Sequence, residues 1–201
     1  KAGQAVQAFV NIMQGCDNFC AYCIVPYVRG RQKSRKREAV LGECRMLVDS
    51  GVKEITLLGQ NVNSYGLDKH GDSTSFAKLL HDVASIEGLK RIRFTTSHPK
   101  DLADEVIQSF GELENLCSHL HLPMQSGSNR ILKAMGRKYD IESYMDKVKR
   151  LREARPDLAL STDLIVGFPG ETEEDFQATL EAVRQVGFNS GFSFMYSDRP
   201  G

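Results

Sequence analysis

Strand-length apolar stretches alternate with amphipathic stretches along the whole chain. Six stretches have the length and apolar content of β-strands: residues 8–13, 53–58, 91–96, 118–122, 159–166 and 191–196. Apolar residues recur at helical spacings of three and four in five stretches between them: 38–49, 75–86, 101–110, 140–152 and 172–186. Alternation of this kind predicts parallel strands joined by helical crossovers.

The chain length limits how many such units the fold can contain. A complete eight-unit β/α barrel takes about 250 residues, whereas this chain has 201. We therefore predict an α/β fold, a partial and open six-stranded parallel β/α barrel, formed as one domain over residues 1–201. A flat, doubly wound sheet is the alternative. In both architectures the functional residues lie at the carboxyl ends of the strands.

Capping residues support the predicted helix boundaries. Asp101, Asp140 and Thr172 stand where a helix N-cap is expected, because their side-chain oxygens can accept the first free backbone N–H groups. Gly51 and Gly187 follow predicted helices and are typical of helix C-terminal stops.

Composition excludes a membrane-spanning protein and a disordered chain. The chain is 41% hydrophobic and 26% charged, and it contains no apolar run of about 18 residues, the length needed for a membrane span. Because 26 basic residues balance 26 acidic ones, attraction to nucleic acid requires a local basic patch. The absence of a signal peptide pattern and the odd number of cysteines, five, indicate a reducing, cytoplasmic setting. The abrupt ends suggest a domain excised from a longer protein.

Three cysteines follow the first strand in a CxxxCxxC loop, Cys16, Cys20 and Cys23. Three thiolates at this spacing can bind three corners of a 4Fe-4S cluster and leave one iron without a protein ligand. Structural zinc is the alternative, but it needs a fourth ligand, and neither Cys44 nor Cys117 is an obvious candidate. Three ordinary core cysteines are a poor explanation, because the loop between them is polar.

A basic run follows the cysteine loop and places six cations in nine positions: Arg29, Arg31, Lys33, Arg35, Lys36 and Arg37. Such a run is usually a solvated face. Its position next to the cysteine loop favours contacts with nucleic acid phosphates, which position a ligand without reading its sequence.

Two histidines, His119 and His121, are two residues apart in a predicted strand and therefore point to the same face. This pattern occurs as a metal pair in barrel hydrolases, so a hydrolase is an alternative enzyme class. Only His98 stands at another predicted strand end, however, and hydrogen bonding inside the barrel is the ordinary explanation.

The CxxxCxxC loop, with Tyr22 just before its third cysteine and a βα repeat around it, resembles the radical S-adenosylmethionine (SAM) superfamily. The resemblance implies that Cys16, Cys20 and Cys23 hold a 4Fe-4S cluster and that SAM chelates its open iron. In this family an electron from the cluster then splits the SAM sulfonium and gives methionine and a 5′-deoxyadenosyl radical. No general base or nucleophile is required, and we predict no catalytic side chain of that kind.

The resemblance also assigns SAM contacts to polar or small residues at the strand ends: Tyr22, Gly59, Gln60, Ser97, Gln125 and Asp163. Gly59 and Gln60 stand where many members have Gly-Gly-Glu and bind the SAM amino group. Residues 167–172 would form the turn beside the adenine. Each of these residues has a structural alternative as a loop hydrogen-bonding group, a helix cap or simple packing.

A narrower resemblance rests on the strings NIMQGCDNFCAYCIVPYVRGRQKSR, EITLLGQNVNSYG, RFTTSHPKD, HLHLPMQSGSNRILKAMGR, STDLIVGFPGETEEDF and FSFMYSDRPG. Together they resemble the central domain of the MiaB-type tRNA methylthiotransferases. The resemblance implies transfer of a methylthio group to carbon 2 of the isopentenylated adenosine next to the tRNA anticodon. The alternatives are sister enzymes acting on threonylcarbamoyladenosine in tRNA or on a ribosomal protein, and, more remotely, a zinc-braced RNA-binding module without catalysis.

The same resemblance implies partners and further domains. The partners are the tRNA anticodon stem-loop, contacted through Arg29, Arg31, Lys33 and Arg35, and a reducing electron-transfer protein, with no membrane. A preceding domain would carry a second cluster, and a following small β-domain would bind RNA. Without the three cysteines of the second cluster, this chain alone is expected to cleave SAM slowly at most and not to methylthiolate RNA.

Overall fold

A computed structural model describes residues 5–198 of the chain. Residues 1–4 and 199–201 lie outside the described residues. The two chain ends on which the prediction of an excised domain rests, and the last three letters of the FSFMYSDRPG string, therefore lie outside them as well. No helix within residues 5–198 is long and apolar enough to cross a membrane.

The described elements alternate along the chain as the pattern predicts. The first half contains β1 (Gln7–Asn11), β2 (Met13–Gln14), α1 (Val25–Val28), β3 (Lys33–Ser34), α2 (Arg37–Asp49), β4 (Glu54–Leu58), α3 (Phe76–Ala84) and β5 (Arg91–Thr95). The second half contains α4 (Asp104–Glu112), β6 (His119–His121), α5 (Asn129–Ala134), α6 (Ile141–Ala154), β7 (Ala159–Val166), α7 (Glu173–Val186) and β8 (Ser190–Met195). Single 3-10 turns cover Val62–Ser64 and Pro99–Asp101.

Six parallel strands follow one another in chain order. One sheet has the order β1-β4-β5 and another the order β6-β7-β8, and all the pairings in both are parallel. A parallel bridge between Ile92 and Leu116 links the two sheets. No pairing joins β1 to β8 in the described part of the chain. A doubly wound sheet would reverse the strand order at its centre, so this arrangement agrees with the predicted open barrel.

The two faces of the sheet differ in chemistry because successive side chains of a strand point to opposite faces. On β4, Ile55 and Leu57 are fully buried in the apolar cluster that also contains Leu41 of α2 and Leu80 of α3. Burial of a Leu or Ile side chain contributes about 1.5–3 kcal/mol, so this layer holds the helices on the sheet. The other face carries polar side chains such as Glu54, which pairs with arginines of β5.

The structure subdivides the first predicted strand. Residues 8–13 form β1 and β2 with Ile12 between them, and β2 pairs antiparallel with β3. This small hairpin was not predicted, because two-residue strands leave no periodic pattern. Its effect is to pair residues 33–34 with β2 and so to close the cysteine loop at its base.

Most of the predicted caps are confirmed. Asp140 Oδ1 accepts a hydrogen bond from the Ser143 N–H at 2.8 Å, and Thr172 forms a capping box with Asp175. Gly187 adopts φ 59° at the end of α7. The prediction that Asp101 caps a helix is wrong, since α4 begins at Asp104 with Ala103 as its N-cap.

Candidate functional site

The cysteine loop begins at Gly15, where the chain leaves β2. Gly15 has φ 76°, and a Cβ there would lie 2.3 Å from the carbonyl oxygen of Arg31. Its N–H donates to Oε1 of Gln60 at 2.7 Å, and the Cys16 N–H donates to the Gly30 carbonyl at 3.2 Å. The loop therefore starts in a narrow gap between the end of β4 and its own returning segment, which only glycine fits.

Asp17 and Asn18 hold the loop to the body of the protein. Asp17 Oδ1 accepts from the Gln32 N–H at 3.1 Å and pairs with Arg31 Nε at 2.9 Å. Asn18 Nδ2 donates to Asp101 Oδ2 at 3.0 Å, and Asn61 Nδ2 donates to the same oxygen at 2.6 Å. Asp101 thus ties the loop to the chain that follows β4, which explains why it does not cap a helix.

Asp101 is ionised in this position. Burial alone would raise its pKa, but hydrogen bonds from Asn18, Lys100 and Asn61 hold the pKa of the Asp101 carboxyl below its ordinary value. Lys100 Nζ lies 3.0 Å from Asp101 Oδ1 and supplies the counter-charge. An anion bound to three polar groups makes this side of the loop rigid.

The three cysteines of the loop are free thiols. Cys20 is buried, while Cys16 and Cys23 are half-buried. Burial raises the pKa of the Cys16 thiol, the hydrogen bond from the Asn18 N–H lowers it, and the nearby Cys20 and Cys23 raise it further. Thiolates are the ligands that iron–sulfur clusters take in proteins, and this donor set fits such a cluster.

The same residues do not form a closed site for a single metal ion. Between residues 5 and 198, no group of three or more His, Cys, Asp or Glu side chains is arranged so that it could hold one. Cys44 is fully buried in α2, and Cys117 precedes β6. The structure therefore offers three thiol donors on one loop but no closed four-ligand zinc site.

Two nitrogen groups face the sulfur of Cys20. Arg137 Nη1 lies 3.4 Å from Cys20 Sγ, and His98 Nε2 lies 3.8 Å from it. Burial, and after it the Arg137 cation, lowers the pKa of His98 to about 3, so this imidazole is neutral near pH 7. The Lys100 N–H donates to His98 Nδ1 at 3.2 Å, which places the imidazole hydrogen on Nε2 and points it at the sulfur.

A cavity of about 400 Å³ opens beside the loop at the carboxyl ends of β7 and β8. It brings together three of the predicted cofactor residues, Tyr22, Gln125 and Asp163. The rest of its wall is mostly apolar: Ile165, Phe194, Met195, Tyr196 and Ser197. A cavity of this size with a few convergent polar groups is typical of a small-molecule site.

Gln125 and Asp163 are held by strand contacts. Gln125 has φ 68°, its N–H donates to the Asp163 carbonyl at 2.8 Å, and its own carbonyl accepts from the Ile165 N–H at 3.0 Å. Asp163 lies within β7 and not at its end. Its Oδ2 is 3.3 Å from His121 Nε2, so its side chain points to the same face as the two strand histidines.

The other three predicted cofactor residues do not line this cavity. The amide oxygen of Gln60 is taken by the Gly15 N–H, and the Gly59 N–H donates to the Thr95 carbonyl at 3.2 Å. Ser97 is buried, and its hydroxyl donates to Asn63 Oδ1 at 3.4 Å. The structure gives all three residues a structural contact and leaves their predicted part in SAM binding untested.

The strand histidines bond inside the barrel. His121 Nδ1 and His119 Nε2 lie 3.0 Å and 3.2 Å from the hydroxyl of Ser161, which shows that both point to one face as predicted. This arrangement matches the ordinary explanation given above and supplies no support for a hydrolase.

The turn over residues 167–172 is tight, as predicted. Gly167 and Gly170 have φ 74° and 82°, and the Glu171 N–H donates to the Phe168 carbonyl at 2.8 Å. Phe168 packs with Ile131 and Met135 in a small apolar cluster that Tyr22 also contacts.

The basic run divides into two groups. Arg29, Arg31 and Lys33 are exposed, and the Arg31 guanidinium also lies 5.0 Å from the centre of the Phe19 ring. Arg35 is more constrained, because it pairs with Glu43 at 2.7 Å and donates to the Asn11 carbonyl at 2.6 Å.

Arg37, the last cation of the run, pairs with Asp82 Oδ2 at 2.6 Å. Lys36 is exposed like the first three cations of the run, and Arg31 already pairs with Asp17. The exposed cations without an ion pair in the described chain are therefore Arg29, Lys33 and Lys36.

The sequence analysis missed Arg137 and the role of Asp101. Arg137 stands in the string GRKYD, which carries no local sign of burial. The one available signal was the position of Arg137 in the chain. It follows the short helix α5, whose N-cap Ser128 comes soon after the predicted strand end at Gln125, so it was bound to lie near the carboxyl ends of the strands.

The chain is similar to known proteins over most of its length. The profile of the Radical SAM superfamily matches residues 10–183. A tRNA-2-methylthio-N(6)-dimethylallyladenosine synthase from Oleidesulfovibrio alaskensis is 70% identical over 196 residues, and the match covers 98% of this chain and 42% of that protein. Synthases of the same name from Lawsonia intracellularis and Caldicellulosiruptor saccharolyticus are each 59% identical, with 98% of this chain covered and 44% and 42% of theirs. The chain thus spans less than half the length of these relatives.

Solved structures share the fold at low sequence identity. The radical S-adenosylmethionine methyltransferase TsrM from Kitasatospora setae, with tryptophan substrate and a SAM analogue bound, superposes with a TM-score of 0.73 at 18% identity, covering 94% of this chain and 36% of that one. Coproporphyrinogen III oxidase (HemN) from Escherichia coli superposes with a TM-score of 0.66 at 15% identity, covering 96% and 45%.

Proposed function

This chain belongs to the radical SAM superfamily, and from that premise we propose that it is the cluster- and SAM-binding domain of a tRNA methylthiotransferase. The reaction is the addition of a methylthio group to carbon 2 of an isopentenylated adenosine next to the anticodon. The observation that carries the proposal is a loop of three free thiols, Cys16, Cys20 and Cys23, beside a cavity at the carboxyl ends of parallel strands. The identity of 70% to a synthase with this activity in its name supports the substrate.

Cys16, Cys20 and Cys23 would hold a 4Fe-4S cluster, and the donor set fits because all three are unpaired thiols and no fourth cysteine lies on the loop. When bound, the cluster and SAM supply one-electron cleavage of a carbon–sulfur bond. Tyr22, Gln125 and Asp163 would contact SAM from the cavity wall. Gly59, Gln60 and Ser97, which lie at the ends of β4 and β5, would complete the SAM site.

The residues of the chain hold the cysteine loop in place and line the cavity. Gln60 and Asp101 hold the loop at two points, through Gly15 and Asn18. The apolar side chains of the cavity wall, Ile165 and Phe194 among them, suit an adenosine with an isopentenyl group. Because the cofactor carries the difficult chemistry, binding, orientation and electrostatics are what the protein must supply.

The RNA would contact the basic run. Arg29, Arg31 and Lys33 would contact phosphates from the exposed side of the loop, and Arg35 would do so at the cost of its pair with Glu43. The target base lies in a single-stranded loop, so placing it in the cavity needs little unstacking.

The complete reaction needs more protein than this chain. The chain spans 42% of the length of the relative from O. alaskensis, and we propose that a preceding domain carries the second cluster and a following β-domain binds RNA. A reducing electron-transfer protein would deliver the electron, and the cytoplasm, where tRNA is modified, would be the location. The isolated chain would cleave SAM slowly and would not methylthiolate RNA.

Anaerobic reconstitution with iron and sulfide tests the proposal. We expect about four irons and labile sulfide per chain, as a 4Fe-4S cluster requires, and 5′-deoxyadenosine when SAM and a strong reductant are added. Stoichiometric zinc without labile sulfide, and no 5′-deoxyadenosine, would instead support the zinc-braced RNA-binding module.

Substrate choice is tested by filter binding of anticodon stem-loops. Tighter binding of the isopentenylated stem-loop than of the unmodified one is expected. Preference for threonylcarbamoyladenosine, or binding of a ribosomal protein in place of RNA, would favour the sister enzymes.

A further inference from the structure

Arg137 is a buried cation directly beside the cysteine loop. Arg137 is only 4% exposed. The guanidinium donates to four acceptors: Cys20 Sγ at 3.4 Å, Tyr22 Oη at 3.2 Å, the Pro123 carbonyl at 3.2 Å and Tyr139 Oη at 3.1 Å. It therefore joins the loop to the segment after β6.

None of these four acceptors is a carboxylate. In the described chain, no Asp or Glu oxygen lies within ion-pair distance of Arg137, whereas Arg130 nearby pairs with Asp175. An ordinary tyrosine hydroxyl has a pKa of about 10 and a backbone carbonyl carries no charge, so none of the three oxygen acceptors is an anion near pH 7. A buried guanidinium stays charged and normally has an anionic partner, and the sulfur of Cys20 is the one group in contact with it that becomes an anion on binding metal.

The three loop sulfurs differ in their surroundings. The Cys20 sulfur faces N–H donors from both Arg137 and His98, and the Cys16 sulfur accepts from the Asn18 N–H at 3.5 Å. No hydrogen bond to the Cys23 sulfur is present within residues 5–198. Positive charge and N–H donors are thus concentrated on the Cys20 side of the loop.

We propose that Arg137 is a positioning residue that provides the counter-charge for the group held by the three thiols and favours its one-electron reduction. The inference rests on the proposed 4Fe-4S cluster. Reduction adds one electron to that cluster, so a fixed cation in a low-dielectric setting stabilises the reduced form more than the oxidised form. Hydrogen bonds to cluster sulfurs and nearby charge are known levers on the potential.

The test compares Arg137→Lys, which keeps the charge, with Arg137→Met, which removes it at similar length. Each is reconstituted anaerobically, analysed for iron and sulfide, and titrated with a graded low-potential reductant while the reduced cluster is followed by electron paramagnetic resonance. We expect Arg137→Met to lower the ratio of reduced to oxidised cluster about tenfold at a fixed solution potential, which is 59 mV for a one-electron couple. Arg137→Lys should stay within about threefold of the unmodified chain.

Arg155→Met is the matched control. Arg155 also uses its guanidinium to bind chain carbonyls, those of Phe110 and Leu113, but at the opposite end of the strands. Its loss should lower the melting temperature without moving the potential.

Two results would overturn the inference. One is an Arg137→Met cluster with the potential of the unmodified chain. The other is loss of the fold in both Arg137 variants before any metal is added, seen by circular dichroism, which would make the arginine a structural brace only. If the unmodified chain itself takes up no iron and sulfide, the proposed function fails instead.

Discussion

The side-chain oxygen of Gln60 accepts a hydrogen bond from the backbone N–H of Gly15 at 2.7 Å. One residue follows β4 and the other follows β2, so this contact fixes the start of the cysteine loop to the edge of the barrel. It also gives Gln60 a definite task in the protein without any ligand.

Replacing Gln60 with Leu should destabilise the loop, while Gln60→Glu should not. The leucine leaves the N–H of the buried Gly15 without an acceptor, a loss of about 1–3 kcal/mol. Such a loss lowers the melting temperature by about 2–4 °C per kcal/mol in a domain of this size. A glutamate oxygen can still accept the bond. Thermal unfolding of the two variants checks this, and equal melting temperatures would contradict it.

Cys20→Ala should abolish cluster assembly. With two thiols left, the iron content after anaerobic reconstitution should fall from about four per chain toward zero, measured by iron and sulfide analysis. Cys117→Ala is the control, since Cys117 lies outside the loop and should leave the iron content unchanged. Full iron content in Cys20→Ala would mean that the ligand set is wrong.

Comparing Gly15→Ala with Gly167→Ala separates two causes of lost stability, the strain of a positive φ and a steric clash of the new Cβ. Both glycines have positive φ, 76° and 74°, but a Cβ at Gly15 meets the Arg31 carbonyl at 2.3 Å while a Cβ at Gly167 meets nothing within 4 Å. Gly167→Ala should therefore cost only the conformational term of about 1 kcal/mol, and Gly15→Ala clearly more. Urea unfolding of both variants measures the difference, and a smaller loss for Gly15→Ala would refute the close contact.

Neutralising the exposed part of the basic run should weaken RNA binding. If Arg29, Arg31 and Lys33 each contact a phosphate, each change to Gln lowers the slope of log affinity against log salt by about 0.7–1. Filter binding of an anticodon stem-loop at several salt concentrations measures that slope. Lys149→Gln, on the exposed face of α6, is the control. An unchanged slope in the triple variant would place the RNA elsewhere.

Asp68 should make the fold sensitive to acid. Burial alone would raise its pKa, but hydrogen bonds from Ser34, His70 and Gln32 lower the pKa of Asp68 to about 2. Because the folded pKa lies below the ordinary value of 3.8, this carboxylate stabilises the fold fully above about pH 5, and the stabilisation is lost as the pH falls toward 2.

The measurement is the free energy of unfolding between pH 2 and 7 for Asp68→Asn. After discounting for partial exposure, we expect the variant to lose about 1–2 kcal/mol at pH 7 and to show a flatter pH dependence below about pH 5. Asp157→Asn is the control, because Asp157 is exposed and its side chain has no hydrogen bond in the described chain. Parallel curves for Asp68→Asn and the unmodified chain would contradict this assignment.

Local pattern was enough to predict the order of the main elements and the place of the cysteine loop. Helical and strand periodicity depends on residues a few positions apart, as in β4 and in α7 with its cap at Thr172. It failed for β2, β3 and α5, which are too short for a period to appear. It also placed a cap at Asp101, because a local rule cannot register that Asn18 and Asn61 compete for the same carboxylate.

By itself the sequence determined the α/β class, the strand order along the chain and the three thiols that follow the first strand. Only the tertiary structure decided which polar groups surround those thiols. Cys20 meets His98 and Arg137 across 78 and 117 positions of the chain. Contacts over such distances depend on how the strands pack side by side, and burial of a charge leaves no local pattern, so folding alone brings this cation to the sulfur.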